Sequence, residues 1–319
     1  MDSESLAEAA RPDTARRDVG ATGILVSPIA LDGAPFGWIA GIEESSRTLD
    51  VYFAGGGNFV STADHYAGGR SEVMIGSWLR TVADRSKIVL ETRIGRHPDA
   101  AGLGKHSMLR AVENSLTRLG TDYVDFLSLD GDDPLTPIED SLETASRLIT
   151  EGKVRFLAAS SFGVDAIRSV ARLATDSGGP SFRAILVEYN LMDRVPYERE
   201  FQSIATEMGR GALARLPLAH GYLASEFRTR DEVPSSVLFE GAARHIGRRG
   251  ERILEALASV ASDLGETPAR IALAWVLVKP GIAAAVLRAK DAEQLQHELG
   301  ATRVQLERHH VALLDRVSA

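Results

Sequence analysis

Three runs of this chain climb through apolar or β-branched residues and stop on groups able to donate, accept or stabilise a proton. Gly56-Gly57-Asn58-Phe59-Val60-Ser61-Thr62-Ala63 stops on Asp64-His65-Tyr66, the segment Glu91-Thr92 stops on Arg93, and Phe126-Leu127-Ser128-Leu129 stops on Asp130. Stops of this kind in succession place one shared site at the ends of neighbouring parallel strands. Asp64, Tyr66, Arg93 and Asp130 are therefore expected to meet. Two carboxylates, a phenol and a guanidinium make a set suited to proton transfer at a polarised oxygen.

The elements that would carry this set alternate along the chain. Strands are expected at Ile29–Gly37, Phe59–Ala63, Ile88–Arg93, Val124–Asp130, Val154–Ser160, Arg183–Asn190, Ala212–Leu218 and Ile282–Leu287, about the number that closes a TIM-type barrel. Helical patterns fill the gaps. Thr136-Pro137-Ile138-Glu139 reads as a capping box and Thr267-Pro268 as another helix start. Gly120 and Gly152 stand where left-handed C-terminal residues are expected. The expected architecture is a single α/β (β/α)8 TIM barrel over residues 21–319, preceded by a loose N-terminal tail of residues 1–20. The irregular, charged stretch from His220 to Arg249 would lie over the barrel mouth and shape access to it. Trp275 follows helical spacing and reads as core. His309 and His310 read as solvent-facing.

Composition bounds the function. The 319 residues are 44% hydrophobic and 25% charged, enough for one large α/β domain, and the formal charge of −8 supplies no basic field for nucleic acid. With no cysteine, a disulfide, a thiolate nucleophile and a cysteine-liganded metal are all excluded. The first twenty residues lack a signal-peptide core and no later run has the length of a membrane span, so a cytoplasmic enzyme with a small-molecule substrate is expected. Asp130, Asp132 and Asp133 crowd together, but without the glutamate spacing of a calcium loop or a histidine cluster no metal is expected.

Four further motifs sharpen this. Gly69-Arg70-Ser71-Glu72 follows Tyr66; Ser115-Leu116-Thr117-Arg118-Leu119-Gly120-Thr121-Asp122-Tyr123-Val124-Asp125 precedes the fourth strand; Gly152-Lys153-Val154-Arg155 and Glu188-Tyr189-Asn190 come later. Together with Thr62-Ala63-Asp64-His65-Tyr66, these segments resemble the aldo-keto reductase superfamily from about Ile24 to the C-terminus. The resemblance implies a (β/α)8 barrel that reduces carbonyls with NADPH, using a tyrosine acid, an aspartate, a lysine and a histidine at the C-terminal face.

Position by position, Tyr66 and Asp64 match the family tyrosine and aspartate. A phenol with an ordinary pKa near ~10 gives up its proton to a carbonyl oxygen only where a cation stabilises the phenolate. The family lysine is Arg93 here, which keeps the charge and could clamp Asp64 bidentately but cannot relay a proton. The family histidine is Asp130, an acceptor in place of a neutral donor. The cofactor positions implied are Ser160 and Ser161 for the nicotinamide amide, Arg215 and Leu216 where the family has an aromatic and a serine, and Arg288, Lys290, Gln294 and Glu298 around the adenosine phosphate. Leu186 replaces a family glutamine. Trp38, beyond the first strand, borders the family's substrate pocket.

Two enzymatic readings follow. In the first, a diverged NADPH-dependent reductase acts on a small carbonyl-containing metabolite with Tyr66 as acid, Arg93 as cation and Asp64 holding Arg93. In the second, the same barrel has given up hydride transfer and works as a lyase, dehydratase, isomerase or cyclase, with Tyr66 and Asp130 as acid and base. A non-enzymatic regulatory or scaffold relative is a third, disfavoured by the persisting ionisable cluster.

Overall fold

Eight parallel strands close on themselves in simple sequential order. They are β1 (Ile29–Asp32), β2 (Phe59–Ala63), β3 (Val89–Ile94), β4 (Val124–Asp130), β5 (Val154–Ser160), β6 (Phe182–Glu188), β7 (Ala212–Arg215) and β8 (Ile282–Leu287), with β8 pairing back onto β1. The structure is a computed structural model and describes residues 16–131, 133–224, 227, 229–236 and 239–319. Around the strands run α1 (Ile42–Ala54), α2 (Arg70–Leu79), α3 (Lys105–Leu119), α4 (Ile138–Thr150), α5 (Val164–Ser177), α6 (Gln202–Glu207), α7 (Arg248–Leu264), α8 (Pro268–Leu277), α9 (Ala292–Glu298) and α10 (Arg308–Ser318). No helix among the described residues is long and apolar enough to cross a membrane.

The barrel interior is filled, not hollow. Alternation along each strand sends Ala30, Phe59, Val89, Phe126, Ala158, Ala184, Leu213 and Ala284 inward, where they form a core distinct from the larger one between strands and helices. Val19, Ile24 and Val26 join this inner core from an antiparallel two-stranded ribbon, Arg17–Asp18 against Leu25–Val26. The expected tail is thus corrected at its end: residues 17–20 belong to the body, and Val19 is fully buried. Residues 1–15 lie outside the described set.

Several motifs that carry the family resemblance are structural at this level. Asp125 sits 2% exposed and accepts the Leu90 amide at 2.9 Å and Arg155 at 2.9 Å, tying three successive strands together. Glu72, fully buried, accepts from Arg118 at 2.6 Å and from the Thr92 hydroxyl at 2.7 Å, which pins α2 to α3 and β3. Burial pushes the Glu72 carboxyl up, with the Arg118 charge opposing. Thr267 caps α8 through the Arg270 amide as expected, and Gly120 and Gly152 both have positive φ. The capping box at Thr136 does not form, because its hydroxyl is drawn to Asp133 at 2.8 Å instead. His310 is a second correction: it is 4% exposed, its Nδ1 accepting the Glu307 amide as part of the cap of α10, while His309 faces solvent. Trp275 is fully buried core.

Candidate active site

Continuing the inward alternation past the apolar floor gives the site. Counting up in twos from the inner core reaches Asp32 on β1, Ala63 on β2, Arg93 on β3, Asp130 on β4, Ser160 on β5, Glu188 on β6, Arg215 on β7 and Arg288 just beyond β8. Seven of the eight strands therefore end on a polar or charged side chain at the C-terminal mouth. Asp32 is one of the residues that sequence reasoning missed, with Glu91 and Arg96. It ends Ile29-Ala30-Leu31 just as Asp130 ends its own run, so the same stop signal was present at the first strand.

Tyr66 reaches this layer from the turn after β2. Ala67, Gly68 and Gly69 follow it with φ of 52°, 64° and 86°. Three consecutive left-handed residues reverse the chain sharply, and two of them are glycine because a Cβ there is strained. The turn is anchored where Ser71 donates to the Gly33 carbonyl at 2.8 Å and bonds the Thr62 hydroxyl at 2.8 Å. Tyr66 ends 9% exposed, its phenol accepting a short hydrogen bond from Arg93 Nη2.

Arg93 is 1% exposed. Its partner is not Asp64 as the sequence suggested. Glu91 lies two residues earlier on the same strand face and is fully buried, with its Oε2 at 4.0 Å from Arg93 Nη1 and bonded to the Ser61 hydroxyl. The reason is the strand pleat. Phe59, Ser61 and Ala63 point inward, so Asp64 points off the axis, whereas Glu91 and Arg93 share the inner face. Asp64 is fully buried, 3.3 Å from His65 Nδ1, and its second oxygen has no hydrogen-bond partner. Burial pushes the Glu91 carboxyl up, against the opposing charge of Arg93. Burial also disfavours the Arg93 charge, but Tyr66, Glu91, Asp32 and Asp130 more than offset it and hold Arg93 ionised.

Asp130 pairs elsewhere too. One oxygen accepts from Ser160 at 3.0 Å and Ser161 at 2.9 Å, and the other lies 3.0 Å from Arg96 Nε. Its ion-pair partner is thus Arg96, which enters from the loop after β3. Asp133 is spent on the loop, accepting the Leu103 and Leu135 amides, and Asp132 lies outside the described residues.

The expected cofactor positions divide. Leu216, Arg288, Lys290 and Gln294 line one cleft together with His220 and Phe239, about 720 Å³ with its open mouth included. Arg288 is drawn toward the centre: its Nε donates to Asp32 at 3.0 Å, and Asp32 and Tyr66 together hold it charged against the cost of burial. Gln294 accepts the Lys290 amide at 2.9 Å, while Lys290 projects 60% exposed. Glu298 is placed differently from its expected role. It is 4% exposed on α9, one oxygen has no hydrogen-bond partner, and burial raises its carboxyl to about 7. Leu186 is inner-barrel core. Trp38 is 62% exposed and faces Pro234, Ser236 and Phe239 across a second cleft of about 810 Å³. Phe239 stands in the walls of both.

The long segment after β7 is fastened to the barrel end. Arg244 reaches Glu188 and, at 2.9 Å, Asp193, and His245 lies 3.4 Å from Asp193. His220 at 3.6 Å and Arg244 hold the Glu188 carboxyl down to about 2. Burial lowers His245 to about 4.

Comparison with known proteins gives the same picture over nearly the whole chain. The model of the "Aldo/keto reductase family" matches residues 40–319. A protein of Arabidopsis thaliana named "Probable voltage-gated potassium channel subunit beta" is 29% identical over 306 residues, covering 90% of this chain and 91% of that protein. A Schizosaccharomyces pombe protein, "Putative voltage-gated potassium channel subunit beta", is 26% identical over 299 residues, 88% of this chain and 85% of that one.

Proposed function

Because the chain belongs to the aldo/keto reductase family and is an oxidoreductase of that type, we propose that it reduces a small carbonyl compound with NADPH, Tyr66 supplying the proton. The observation that carries this reading is the Tyr66 phenol held by Arg93 at the barrel mouth. A carbonyl oxygen placed at that phenol receives its proton, and the phenolate left behind faces the Arg93 guanidinium, with Arg288 close enough to interact. Glu91 keeps Arg93 in place from below, the part that Asp64 was expected to play.

The residues present suit the cofactor. His220 lines the first cleft, 3.6 Å from Glu188 and with neither ring nitrogen hydrogen-bonded, and Lys290 offers an exposed cation. Arg288, Lys290, Gln294 and His220 would hold the phosphate end. Leu216, Ala219 and His220 carry φ of 51°, 50° and 57°, strained values for residues with a Cβ that bend the backbone around this cleft. Ser160 and Ser161 each spend their proton on Asp130 but keep lone pairs free to accept from a carboxamide. When bound, NADPH supplies the hydride. Both oxygens of Asp130 already accept hydrogen bonds or an ion pair, so the alternative in which Asp130 works as the base of a lyase, dehydratase, isomerase or cyclase gains nothing from the geometry.

Titrating the protein with NADPH, followed by the fluorescence of the reduced nicotinamide, is expected to give saturable binding below about 1 mM, the upper end of ordinary cofactor and substrate affinities. Absence of saturation in that range sinks the reductase reading.

A further inference from the structure

Almost every charge in the mouth layer has its counter-charge. Asp32 is met by Arg288 at 3.0 Å, Arg93 by Glu91 at 4.0 Å, Asp130 by Arg96 at 3.0 Å, and Glu188 by Arg244. Arg215 is the exception among the described residues. No carboxylate lies within ion-pair distance of it, and its Nε is buried without a hydrogen-bond partner. Glu188, its register partner on β6, turns instead to Arg244 and His220.

The backbone holds Arg215 in this position from both sides. Its carbonyl accepts the Tyr189 amide at 3.1 Å, and the next carbonyl, on Leu216, accepts from the Asn190 side chain at 3.0 Å. Leu216 is itself left-handed, a strained conformation for a residue with a Cβ. Below Arg215 the wall is apolar, made by Leu213, Leu186 and Val286. A guanidinium N–H buried against such a wall is unfavourable until an acceptor reaches it.

We propose that Arg215 receives a carboxylate of the substrate, so that the compound reduced is an oxo acid, its carbonyl at Tyr66 and its carboxylate across the mouth at β7. This inference rests on the reductase reading and names its substrate class. A single guanidinium matches one carboxylate in charge and in its paired acceptor geometry. A dianionic phosphate fits less well, because Glu188 stands on the adjacent strand. Arg215 lies three strands round from β2, so the acid and the carbonyl sit on facing walls, with the molecule between them.

The test compares 4-formylbenzoate with its methyl ester at saturating NADPH, in the wild type, Arg215→Met and Arg215→Lys. The wild type is expected to prefer the acid in kcat/KM by about tenfold or more, the worth of a hydrogen-bonded charge pair. Arg215→Met should bring the acid-to-ester ratio close to parity, and Arg215→Lys should restore part of it. Parity in the wild type, or a preference that survives in Arg215→Met, overturns the inference. So does an Arg215→Met variant whose main defect is a weakened NADPH Kd, which would give Arg215 to a cofactor phosphate. If neither aldehyde is reduced, calorimetric titration with 4-formylbenzoate separates the two readings. Binding that Arg215→Met abolishes supports the anion site while the reductase reading falls, and no binding removes the anion site as well.

Discussion

A Tyr66→Phe variant is expected to lose about 10²–10⁴-fold in the rate of NADPH-dependent carbonyl reduction, the usual span for removing a positioned general acid. Phenylalanine keeps the ring and its packing in the turn after β2, so NADPH affinity should change little. The loss should fall on kcat and kcat/KM together, since the proton is transferred in the transition state and not in the ground state. Some cost in stability is expected as well. Arg93 Nη2 donates to the phenol in a site where Arg93 is 1% exposed, and its other terminal nitrogen already lacks a hydrogen-bond partner. Stranding a second donor there costs about 1–3 kcal/mol. Turnover within threefold of wild type would remove the tyrosine from the mechanism.

The second large effect is on folding. Arg93→Met removes the cation beside Glu91, a carboxyl with no exposure and one oxygen lacking a hydrogen-bond partner. Breaking a buried pair by deleting one member costs about 3–5 kcal/mol, because the other charge is left without compensation. Glu91 answers by taking up a proton. Burial already raises its carboxyl and Arg93 opposes that rise, so without Arg93 it titrates higher still.

The sign follows from proton counting. An unfolded glutamate titrates near ~4.3, below the native group, so between those values the native state binds more protons than the unfolded one, and stability falls as pH rises. Urea denaturation of Arg93→Met at pH 5 and at pH 8 should therefore show lower stability at pH 8, with a larger difference than the wild type shows. Adding Glu91→Gln should remove that extra pH dependence and return part of the lost stability, since an amide leaves no charge to bury. A single variant as stable as wild type at both pH values would show that Glu91 and Arg93 are not a pair.

The channel β-subunit relatives and the family match extend over segments whose work is now visible in this chain. Asp125, Glu72 and Asn190 are spent holding strands, helices and the β7 turn in register. They made the family legible because such buried polar bonds tolerate few substitutes. Arg93, Asp130, Arg215 and Arg288 all stand on the inner face of the mouth. That layer carries charged groups, whereas the barrel below it is closed by apolar packing.

By itself the sequence determined the strands, their order and the fact that charged groups end them. Local hydrophobic patterning and turn chemistry encode these features, and they need no knowledge of what lies across the barrel. The same pattern would have yielded Asp32, had the stop after Leu31 been read with the rule applied to Asp130. Only the tertiary structure decided who pairs with whom. Arg93 goes to Glu91 because alternation puts both on one face and turns Asp64 away. Asp130 goes to Arg96, Arg288 crosses to Asp32, and among the described residues Arg215 has no carboxylate within ion-pair distance. Each of those outcomes depends on closing eight strands into a ring, which brings β8 against β1 and sets residues more than 250 positions apart within hydrogen-bond distance. Coulomb pairing is settled by that distance and by burial, neither of which is written in the spacing along the chain.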